Sequence, residues 1–288
     1  MLYEPSLVSD EDRLLAVAAG ADALIVRNKT QVRGKLLDAL VSCKVVGRLG
    51  VGLDNIDVAE CERRNIRLIV PRGANAHSVA EYVLATSMFL LRGAYTSTSL
   101  VAAGKWPRES LSRGREIAGK TMGIVGFGSI GQCVAVIARA LGVEVLAYDP
   151  ALSATDVTFA ANQVECTSLE DLVARSDVVS LHVPLVDSTR NLFDGSMLDK
   201  MRRGAVLVNT ARGGVVDEVA VAFALKSGQL GGAALDVFSS EPGPVQPHFE
   251  GCSHLILTPH IAGVTVESNE RVSRSVASGI IQALRDFK

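Results

Sequence analysis

Residues 121–131, TMGIVGFGSIG, decide the fold of this chain. The apolar run TMGIV predicts a short buried strand, and the pattern G-x-G-x-x-G follows it without a gap. The next residues, 129–141, space their apolar side chains as an amphipathic helix does. Strand, glycine turn and helix in this order predict the first half of a βαβ unit that binds a dinucleotide.

Each glycine of the pattern has its own steric task. Gly126 permits the tight turn out of the strand, Gly128 lets the backbone approach a pyrophosphate, and Gly131 lets the helix pack close to the strand. Ser129 and Ile130 are the first residues of the predicted helix. Their backbone N–H groups therefore have no hydrogen-bond partner within the helix. We expect these amides and the positive end of the helix to bind the phosphates.

An acidic residue, Asp149, follows the next predicted strand and lies 18 residues after Gly131. Its carboxylate is suited to accept hydrogen bonds from both hydroxyls of the adenosine ribose, and it would repel a 2′-phosphate. The surrounding residues YDPALSATD (148–156) contain no Arg or Lys to offset that repulsion. The sequence therefore predicts NAD as the cofactor, and not NADP.

Apolar runs and amphipathic helices alternate along the chain, which predicts an α/β fold with doubly wound parallel sheets. Strands are predicted at 23–26, 44–48, 68–70, 121–125, 143–148, 178–183, 205–209, 232–237 and 254–258. A first helix is predicted from Ser9 to Ala19. A helix from Ala76 to about residue 91 is too long for a routine crossover, and another at 265–286 ends the chain. Two α/β series, joined by the helix from Ala76, are therefore expected.

Three chemically distinct side chains follow the last three predicted strands. Arg212, Glu241 and His260 place a cation, a carboxylate and an imidazole where a doubly wound sheet binds ligands. Arg212 is suited to anchor a substrate carboxylate, and His260 to move the proton of an alcohol or carbonyl. Glu241 would hold the imidazole in one tautomer and raise its pKa. This set predicts catalytic residues.

These residues, together with GFGSIG, Asp149, VGLDNID (51–57) and SVAEYVL (78–84), resemble the D-isomer-specific 2-hydroxyacid dehydrogenases. The resemblance is nearest to the D-3-phosphoglycerate dehydrogenase branch and covers nearly the whole chain. It implies a central Rossmann NAD-binding domain at 93–263 and a discontinuous, flavodoxin-like substrate domain at 1–92 and 264–288. It also implies the roles given above to the three catalytic candidates, and a homodimer formed through the NAD-binding domain, including GKW (104–106).

The same resemblance implies further site residues. The backbone amides of Val51 and Gly52 would bind the substrate carboxylate. The remaining residues implied for the cofactor site are His182, Pro184, Thr210 and Ala211, which line the cleft, and Asp236, Ala262 and Gly263, which lie near the nicotinamide. Two features depart from the family pattern. A leading strand of about 5–6 residues is not found before the first helix, and no regulatory domain follows residue 286, which argues against serine feedback through such a domain.

Two arginines in the first series bear on the substrate. Arg27 directly follows the strand at 23–26, and Arg72 follows the strand at 68–70 and Pro71. Because Arg212 and the loop amides account for one carboxylate, these cations predict a second anionic group on the substrate, such as a phosphate or sulfonate on C3. A structural interpretation stays open, with Arg72 as a solvated turn residue and Arg27 paired to a carboxylate of its own domain.

Two other functions are compatible with the same residues. A glyoxylate or hydroxypyruvate reductase would have the same fold and the same three catalytic residues. An NAD-sensing interaction protein, similar to the transcriptional corepressors of this superfamily, could keep them as well. Low turnover on every acid tested would favour the second of these alternatives.

Composition excludes several classes of protein. The 29 Lys and Arg against 31 Asp and Glu give a net charge of −2 and no basic face for nucleic acid. No apolar run approaches the ~18 residues of a membrane span, and the start of the chain lacks the pattern of a signal peptide. Five scattered cysteines, without C-x-x-C or H-E-x-x-H, predict reduced thiols, no metal site and a cytoplasmic protein. The resemblance implies that its partner is a small 2-hydroxy or 2-oxo acid.

Overall fold

The chain divides into two units, and the computed structural model describes residues 2–243 and 247–287. The smaller unit consists of Met1–Asn75 and Val264–Lys288, and the larger unit is Ala76–Gly263. The sequence predicted the first boundary at 92, so the division at 75 is a correction. Its reason is that the helix over 76–92 buries Val79, Val83 and Leu90 in the core of the larger unit.

The smaller unit contains a three-stranded parallel sheet in the order β1-β2-β3. Its elements are α1 (Glu11–Ala18), β1 (Ala23–Val26), α2 (Gly34–Ala39), β2 (Val45–Arg48), α3 (Val58–Arg63), β3 (Arg67–Ile69) and a C-terminal helix (Val266–Asp286). A 3-10 helix, Pro5–Ser9, precedes them. Asp10, and not Ser9 as predicted, caps α1: its carboxylate accepts a hydrogen bond from the Arg13 amide, whereas the Ser9 hydroxyl donates to the carbonyl of Ser6.

Helices cover both faces of this small sheet. Neighbouring residues of β2 point to opposite faces, as the two-residue period of a strand requires. Val46 packs in the cluster that contains Leu37 of α2. Val45 packs against Val276 and Ile280 of the C-terminal helix. The burial of both faces explains why β2 carries apolar side chains at both Val45 and Val46.

The larger unit is built on a seven-stranded sheet. Its elements are α4 (Ala76–Arg92), α5 (Thr98–Ala102), α6 (Arg108–Leu111), β4 (Thr121–Val125), α7 (Ser129–Ala140), β5 (Glu144–Tyr148), α8 (Val157–Ala161), β6 (Glu165–Cys166), α9 (Leu169–Arg175), β7 (Val178–Leu181), α10 (Gly195–Lys200), β8 (Ala205–Asn209), α11 (Glu218–Lys226), β9 (Leu230–Leu235) and β10 (Leu255–Leu257). The short elements α8 and β6 were not predicted, because neither carries an apolar run long enough to show a period.

All pairings in this sheet are parallel, and the strand order is β10-β9-β8-β7-β4-β5-β6. The chain moves outward from β4 to β6, returns to β7 beside β4, and then moves outward on the other side. The predicted α/β class with parallel sheets is confirmed. The reversal between β4 and β7 is a topological switch point, where open α/β sheets bind ligands.

The two faces of the large sheet have separate cores. One face packs against α9, α10 and α11, through residues such as Leu172, Leu198 and Val221. The other packs against α4 and α7, through residues such as Val83 and Val134. All five residues of β8 are buried, as both covered faces require. In the described part of the chain, no helix combines the length and the apolar character needed to cross a bilayer.

Candidate active site

The glycine turn after β4 has the geometry that its sequence predicted. Gly126 has φ +95°, and a Cβ there would lie 2.7 Å from the carbonyl carbon of His182. A Cβ on Gly131 would lie 2.2 Å from the carbonyl oxygen of Gly126. At Gly128 a Cβ would meet no described atom within 4 Å, so the backbone there borders open space. Only glycine therefore fits at positions 126 and 131. The open space at Gly128 leaves room for a phosphate group.

The first turn of α7 offers unsatisfied amides to that space. The helix begins at Ser129, and its N-cap Gly128 has no side chain with which to cap it. Ser129 is exposed and Ile130 is partly buried. These free N–H groups and the helix dipole suit the binding of a pyrophosphate.

Asp149 follows β5, and its carboxylate accepts hydrogen bonds from two backbone amides. Its Oδ2 accepts a hydrogen bond from the Phe127 amide at 2.7 Å, and its Oδ1 accepts one from the Ala151 amide at 2.9 Å. Each carboxylate oxygen can accept a further hydrogen bond. The carboxylate is therefore fixed in orientation and still able to accept two ribose hydroxyls.

Two buried polar atoms at the ends of β7 and β8 lack a protein partner. Nδ1 of His182 and Oγ1 of Thr210 are shielded from solvent and make no hydrogen bond to any described residue. Nε2 of His182 lies 2.9 Å from the Ser180 hydroxyl. Burial lowers the pKa of His182 to about 3, so its imidazole is neutral. Buried polar atoms normally have partners, so these two fit the polar groups of a bound dinucleotide. Pro184 continues the same loop after β7.

The imidazole and carboxylate predicted as a catalytic pair are in contact. Nδ1 of His260 lies 2.6 Å from Oε2 of Glu241, and Oε1 of Glu241 accepts a hydrogen bond from the Phe238 amide at 2.7 Å. His260 has φ +56°, a left-handed conformation that is uncommon outside glycine. Its side chain is half-exposed, so Nε2 is the ring nitrogen left to meet a substrate.

The pKa shifts of His260 and Glu241 have opposite directions. The hydrogen bond that His260 donates to Glu241 raises the pKa of His260, against the opposing effects of burial and of the positive charge of Arg212. Burial works to raise the pKa of Glu241, but the hydrogen bonds from His260 and the Phe238 amide outweigh it and the pKa is lowered. Both shifts favour the imidazolium–carboxylate form.

Arg212 reaches the same region on the loop after β8. The buried Asn209 holds this loop, because its amide donates to the Arg212 carbonyl at 3.1 Å and its Oδ1 accepts from the Ala211 amide at 3.0 Å. A Cβ on Gly213 would lie 1.8 Å from the carbonyl oxygen of Phe238. The loops after β8 and β9 are thus in direct contact, and the charge of Arg212 acts on the pKa values of both Glu241 and His260.

Asp236, at the end of β9, organises the loop that follows β10. The residue is 1% exposed, and its carboxylate accepts hydrogen bonds from the amides of Ile261 and Ala262, both at 2.8 Å. Ala262 is buried and Gly263 is partly buried beside it. Asp236 thereby holds the backbone that directly follows His260.

The sequence did not predict Glu218 as a supporting residue of this site. Glu218, nearly buried in the first turn of α11, accepts hydrogen bonds from the Ser239 amide at 2.7 Å and the Ser239 hydroxyl at 2.6 Å. It therefore anchors the segment that carries Glu241. An acidic residue after the helix cap Asp217 also suits the helix dipole, so the sequence held no sign of this second use.

The four remaining substrate candidates lie in the smaller unit. Arg27 follows β1, Val51 and Gly52 follow β2, and Arg72 follows β3, so all four stand at the carboxyl edge of one parallel sheet. Nη2 of Arg27 donates to Oδ1 of Asn269 at 3.3 Å, which is a neutral partner and not a carboxylate. Arg72 is exposed, and its guanidinium has no hydrogen bond or ion pair with any residue that the structure describes. Among the described residues, no group of His, Cys, Asp or Glu side chains is arranged to hold a metal ion.

Residues 84–262 match the family model of the D-isomer specific 2-hydroxyacid dehydrogenase, NAD binding domain. The chain belongs to this family. The resemblance inferred from the motifs is thereby confirmed. The match also identifies NAD as the cofactor, as the position of Asp149 predicted.

Relatives within the family carry several names. A protein of Chromohalobacter salexigens named (S)-sulfolactate dehydrogenase is 48% identical over 98% of this chain and 91% of its own length. A D-3-phosphoglycerate dehydrogenase of Mycobacterium leprae is 42% identical over 96% of this chain, but only 51% of that protein is covered. A hydroxypyruvate reductase of Thermotoga maritima is 38% identical over 96% of this chain and 89% of its own length.

A solved structure of the family supports the fold and the cofactor. D-lactate dehydrogenase from Aquifex aeolicus, complexed with NAD and lactic acid, superposes with a TM-score of 0.82 at 28% identity. The match covers 94% of this chain and 85% of that one. The predicted fold, with its parallel sheets, is that of a family member which binds NAD.

Proposed function

We propose that Arg212, Glu241 and His260 perform the reaction of this family, the interconversion of a D-type 2-hydroxy acid and its 2-oxo acid. The observation that carries the proposal is the 2.6 Å contact between His260 Nδ1 and Glu241 Oε2, in a loop that also adjoins Asp236. NAD, when bound, supplies or accepts the hydride at C2. The protein supplies the proton, the anchor for the carboxylate and the alignment.

His260 is the group that moves the proton. Because Nδ1 is held by Glu241, Nε2 exchanges a proton with the oxygen on C2 of the substrate. The imidazolium gives this proton during reduction, and the neutral imidazole takes it during oxidation. Arg212 anchors the carboxylate of the substrate through two parallel hydrogen bonds. On the smaller unit, the amides of Val51 and Gly52 are proposed as further donors to a carboxylate.

The cofactor contacts are proposed at the ends of six neighbouring strands of the large sheet. Gly126, Gly128, Ser129, Ile130 and Gly131 would hold the pyrophosphate, and Asp149 the adenosine ribose. The residues proposed beside the nicotinamide half are His182, Pro184, Thr210, Ala211, Asp236, Ala262 and Gly263. The unpartnered atoms of His182 and Thr210 are what support this placement.

The assignment of His260 is tested by His260→Ala. We expect kcat to fall by about 10²- to 10⁴-fold, the usual contribution of a general acid or base, with little change in the dissociation constant of NADH. Initial rates on a panel of 2-oxo acids, followed by NADH absorbance, give kcat, and a fluorescence titration gives the affinity. A variant that retains full kcat would show that His260 does not carry the proton.

We further propose that the substrate carries a second anionic group, bound by Arg27 and Arg72. Both arginines stand at the carboxyl edge of the small sheet, and neither is neutralised by a carboxylate of the described chain. The names of two relatives, sulfolactate and phosphoglycerate dehydrogenase, denote acids with a sulfonate or a phosphate on C3. This favours a 3-phosphoglycerate-like or sulfolactate-like acid over lactate or glycerate.

Matched acids test the second anion. kcat/KM is compared for 3-sulfolactate against lactate and for 3-phosphoglycerate against glycerate, in the wild type, Arg72→Ala and Arg27→Ala. Arg274→Ala is the matched control, because Arg274 is exposed on the C-terminal helix and pairs only with Glu270 among described residues. The advantage of the dianions should shrink in one or both test variants and persist in the control. The proposal would be contradicted if pyruvate or glyoxylate were used as well as the dianions. It would also be contradicted if the advantage of the dianions were unchanged in both Arg72→Ala and Arg27→Ala.

The relative from Thermotoga maritima favours a second candidate, a hydroxypyruvate reductase. Hydroxypyruvate has a neutral hydroxyl where the preferred candidate has an anion. Including hydroxypyruvate in the panel of acids separates the two candidate functions. A hydroxypyruvate reductase would have a higher kcat/KM for hydroxypyruvate than for either dianion, and Arg72→Ala would not change that value.

The assembly and the location are proposed as well. We infer a homodimer formed through the larger unit, with the exposed Trp106 at its contact. A cytoplasmic location is supported by the five cysteines, all of which are unpaired thiols.

A further inference from the structure

A row of three side chains connects α4 to the turn that carries His260. The Tyr82 hydroxyl lies 2.6 Å from Oγ1 of Thr258, and the Thr258 hydroxyl donates to Oδ1 of Asp236 at 2.5 Å. A threonine hydroxyl has a single proton, so the Thr258 oxygen must accept the proton of Tyr82. The hydrogen bonds therefore run in one direction, from Tyr82 through Thr258 to Asp236.

The acceptor at the end of this row controls the conformation of His260. Asp236 takes hydrogen bonds from both sides of the histidine, from Thr258 before it and from Ile261 and Ala262 after it. The amide of His260 donates to the Asp236 carbonyl at 2.8 Å. A left-handed residue persists only where its surroundings over-determine it, and this network supplies that constraint.

We propose that Tyr82 is a positioning residue for the reaction, acting through Thr258 and Asp236 on the turn that presents His260. The proposal rests on the role proposed above for His260. The charged groups that face His260 are Glu241, Arg212 and Asp236, and the only one that acts on Tyr82 within the described chain is Asp236.

The same row affects how firmly His260 holds its proton. The negative charge of Asp236 contributes to the raised pKa of His260, after the larger effects of Glu241, burial and Arg212. Burial raises the pKa of the Tyr82 phenol, so Tyr82 keeps its proton and stays a donor. Hydrogen bonds donated into Asp236 disperse its charge. Their removal should therefore let His260 keep its proton to a higher pH.

The test uses variants that differ by single hydroxyl groups. Tyr82→Phe removes the first donor, Thr258→Val removes the second, and Thr258→Ser restores a hydroxyl at the second position. Tyr95→Phe is the matched control, because Tyr95 is an exposed tyrosine of the same unit that stacks on Phe89. kcat, KM and the pH profile of oxidation are measured for each, and the His260 imidazole is titrated by NMR in the cofactor-free protein, its signal identified by its loss in His260→Ala.

We expect Tyr82→Phe to lower kcat by about 2- to 10-fold, the effect of one hydrogen bond, with a smaller change in KM. Its pH profile and the NMR titration of His260 should both move to higher pH. Thr258→Val should show the same changes, and Thr258→Ser should stay close to the wild type. The double variant Tyr82→Phe/Thr258→Val should be no worse than Thr258→Val alone, because both substitutions interrupt one row.

Three results would overturn the proposal. Tyr82→Phe could behave as Tyr95→Phe does, its effect could add to that of Thr258→Val, or the titration could move to lower pH, which would indicate a loosened contact with Glu241. If His260→Ala kept its kcat, the role of His260 would fall together with this proposal. If His260→Ala lost activity while Tyr82→Phe was silent, only this proposal would fall. Should Thr258→Val fail to fold, Tyr82→Phe and Thr258→Ser still decide the question.

Discussion

The contact between Glu241 and His260 is proposed to set the pH range in which the enzyme works. Glu241 raises the pKa of His260, and the neutral imidazole is the form that oxidation requires. Glu241→Gln removes the negative charge and should lower that pKa, so the pH profile of oxidation should move to lower pH. The wild-type optimum should be lower for reduction than for oxidation, because reduction needs the imidazolium.

Initial rates in both directions across the pH range check this prediction. Glu109→Gln is a suitable control, since Glu109 lies in α6 and has no described contact with His260. If Glu241→Gln left the pH profile of oxidation unchanged, the role of Glu241 would be structural only.

At the same residue scale, we expect Asp149 to select between the two nicotinamide cofactors. Both of its oxygens are oriented by backbone amides, so its charge stands fixed beside the turn after β4. We expect a strong preference for NADH over NADPH in kcat/KM, because a 2′-phosphate would meet that charge. Asp149→Asn, which keeps the size and removes the charge, should narrow the preference. Equal kcat/KM for the two cofactors in the wild type would refute the assignment.

At the scale of elements, the site depends on how closely the loops after β8 and β9 approach. Gly213 makes the approach possible, since a Cβ there would lie 1.8 Å from a carbonyl oxygen of the other loop. Gly213→Ala should therefore destabilise the larger unit by about 1–3 kcal/mol, the usual cost of overpacking. It should also lower kcat, because the neighbouring Arg212 would shift with the loop.

Thermal unfolding measures the first effect, and initial rates measure the second. Gly195→Ala is the matched control: Gly195 opens α10, has no left-handed φ, and a Cβ there meets no described atom within 4 Å. The control should be neutral or slightly stabilising, because alanine favours a helix over glycine. A Gly213→Ala protein with the stability of Gly195→Ala would show that the two loops can separate freely.

At the scale of the whole molecule, the exposed Trp106 bears on the proposed homodimer. It is 78% exposed, although tryptophan is rarely left in water without a partner. Trp106→Glu should shift the molar mass measured by light scattering from dimer towards monomer. Phe223→Glu, at a residue of similar exposure on α11, should leave the mass unchanged. A wild-type protein that is monomeric at micromolar concentration would contradict the dimer.

The sequence by itself determined the α/β class, the strands of both series except β6 to within a few residues, the glycine turn and Asp149. These features are local, because an apolar run, a turn glycine or a strand-end acid keeps its meaning wherever the element packs. Arg212, Glu241 and His260 could be named for the same reason: each follows a strand of a parallel sheet, and such ends meet at one edge.

Only the tertiary structure decided which residues surround these three catalytic candidates. The helix over 76–92 belongs to the larger unit because of the core it enters, and its sequence period is the same in either unit. Likewise Glu218, Thr258 and Tyr82 are ordinary helix or loop residues in the sequence. They become part of the site through contacts with residues far away along the chain. The packing of whole elements decides which distant residues meet, and no local pattern of residues encodes such contacts.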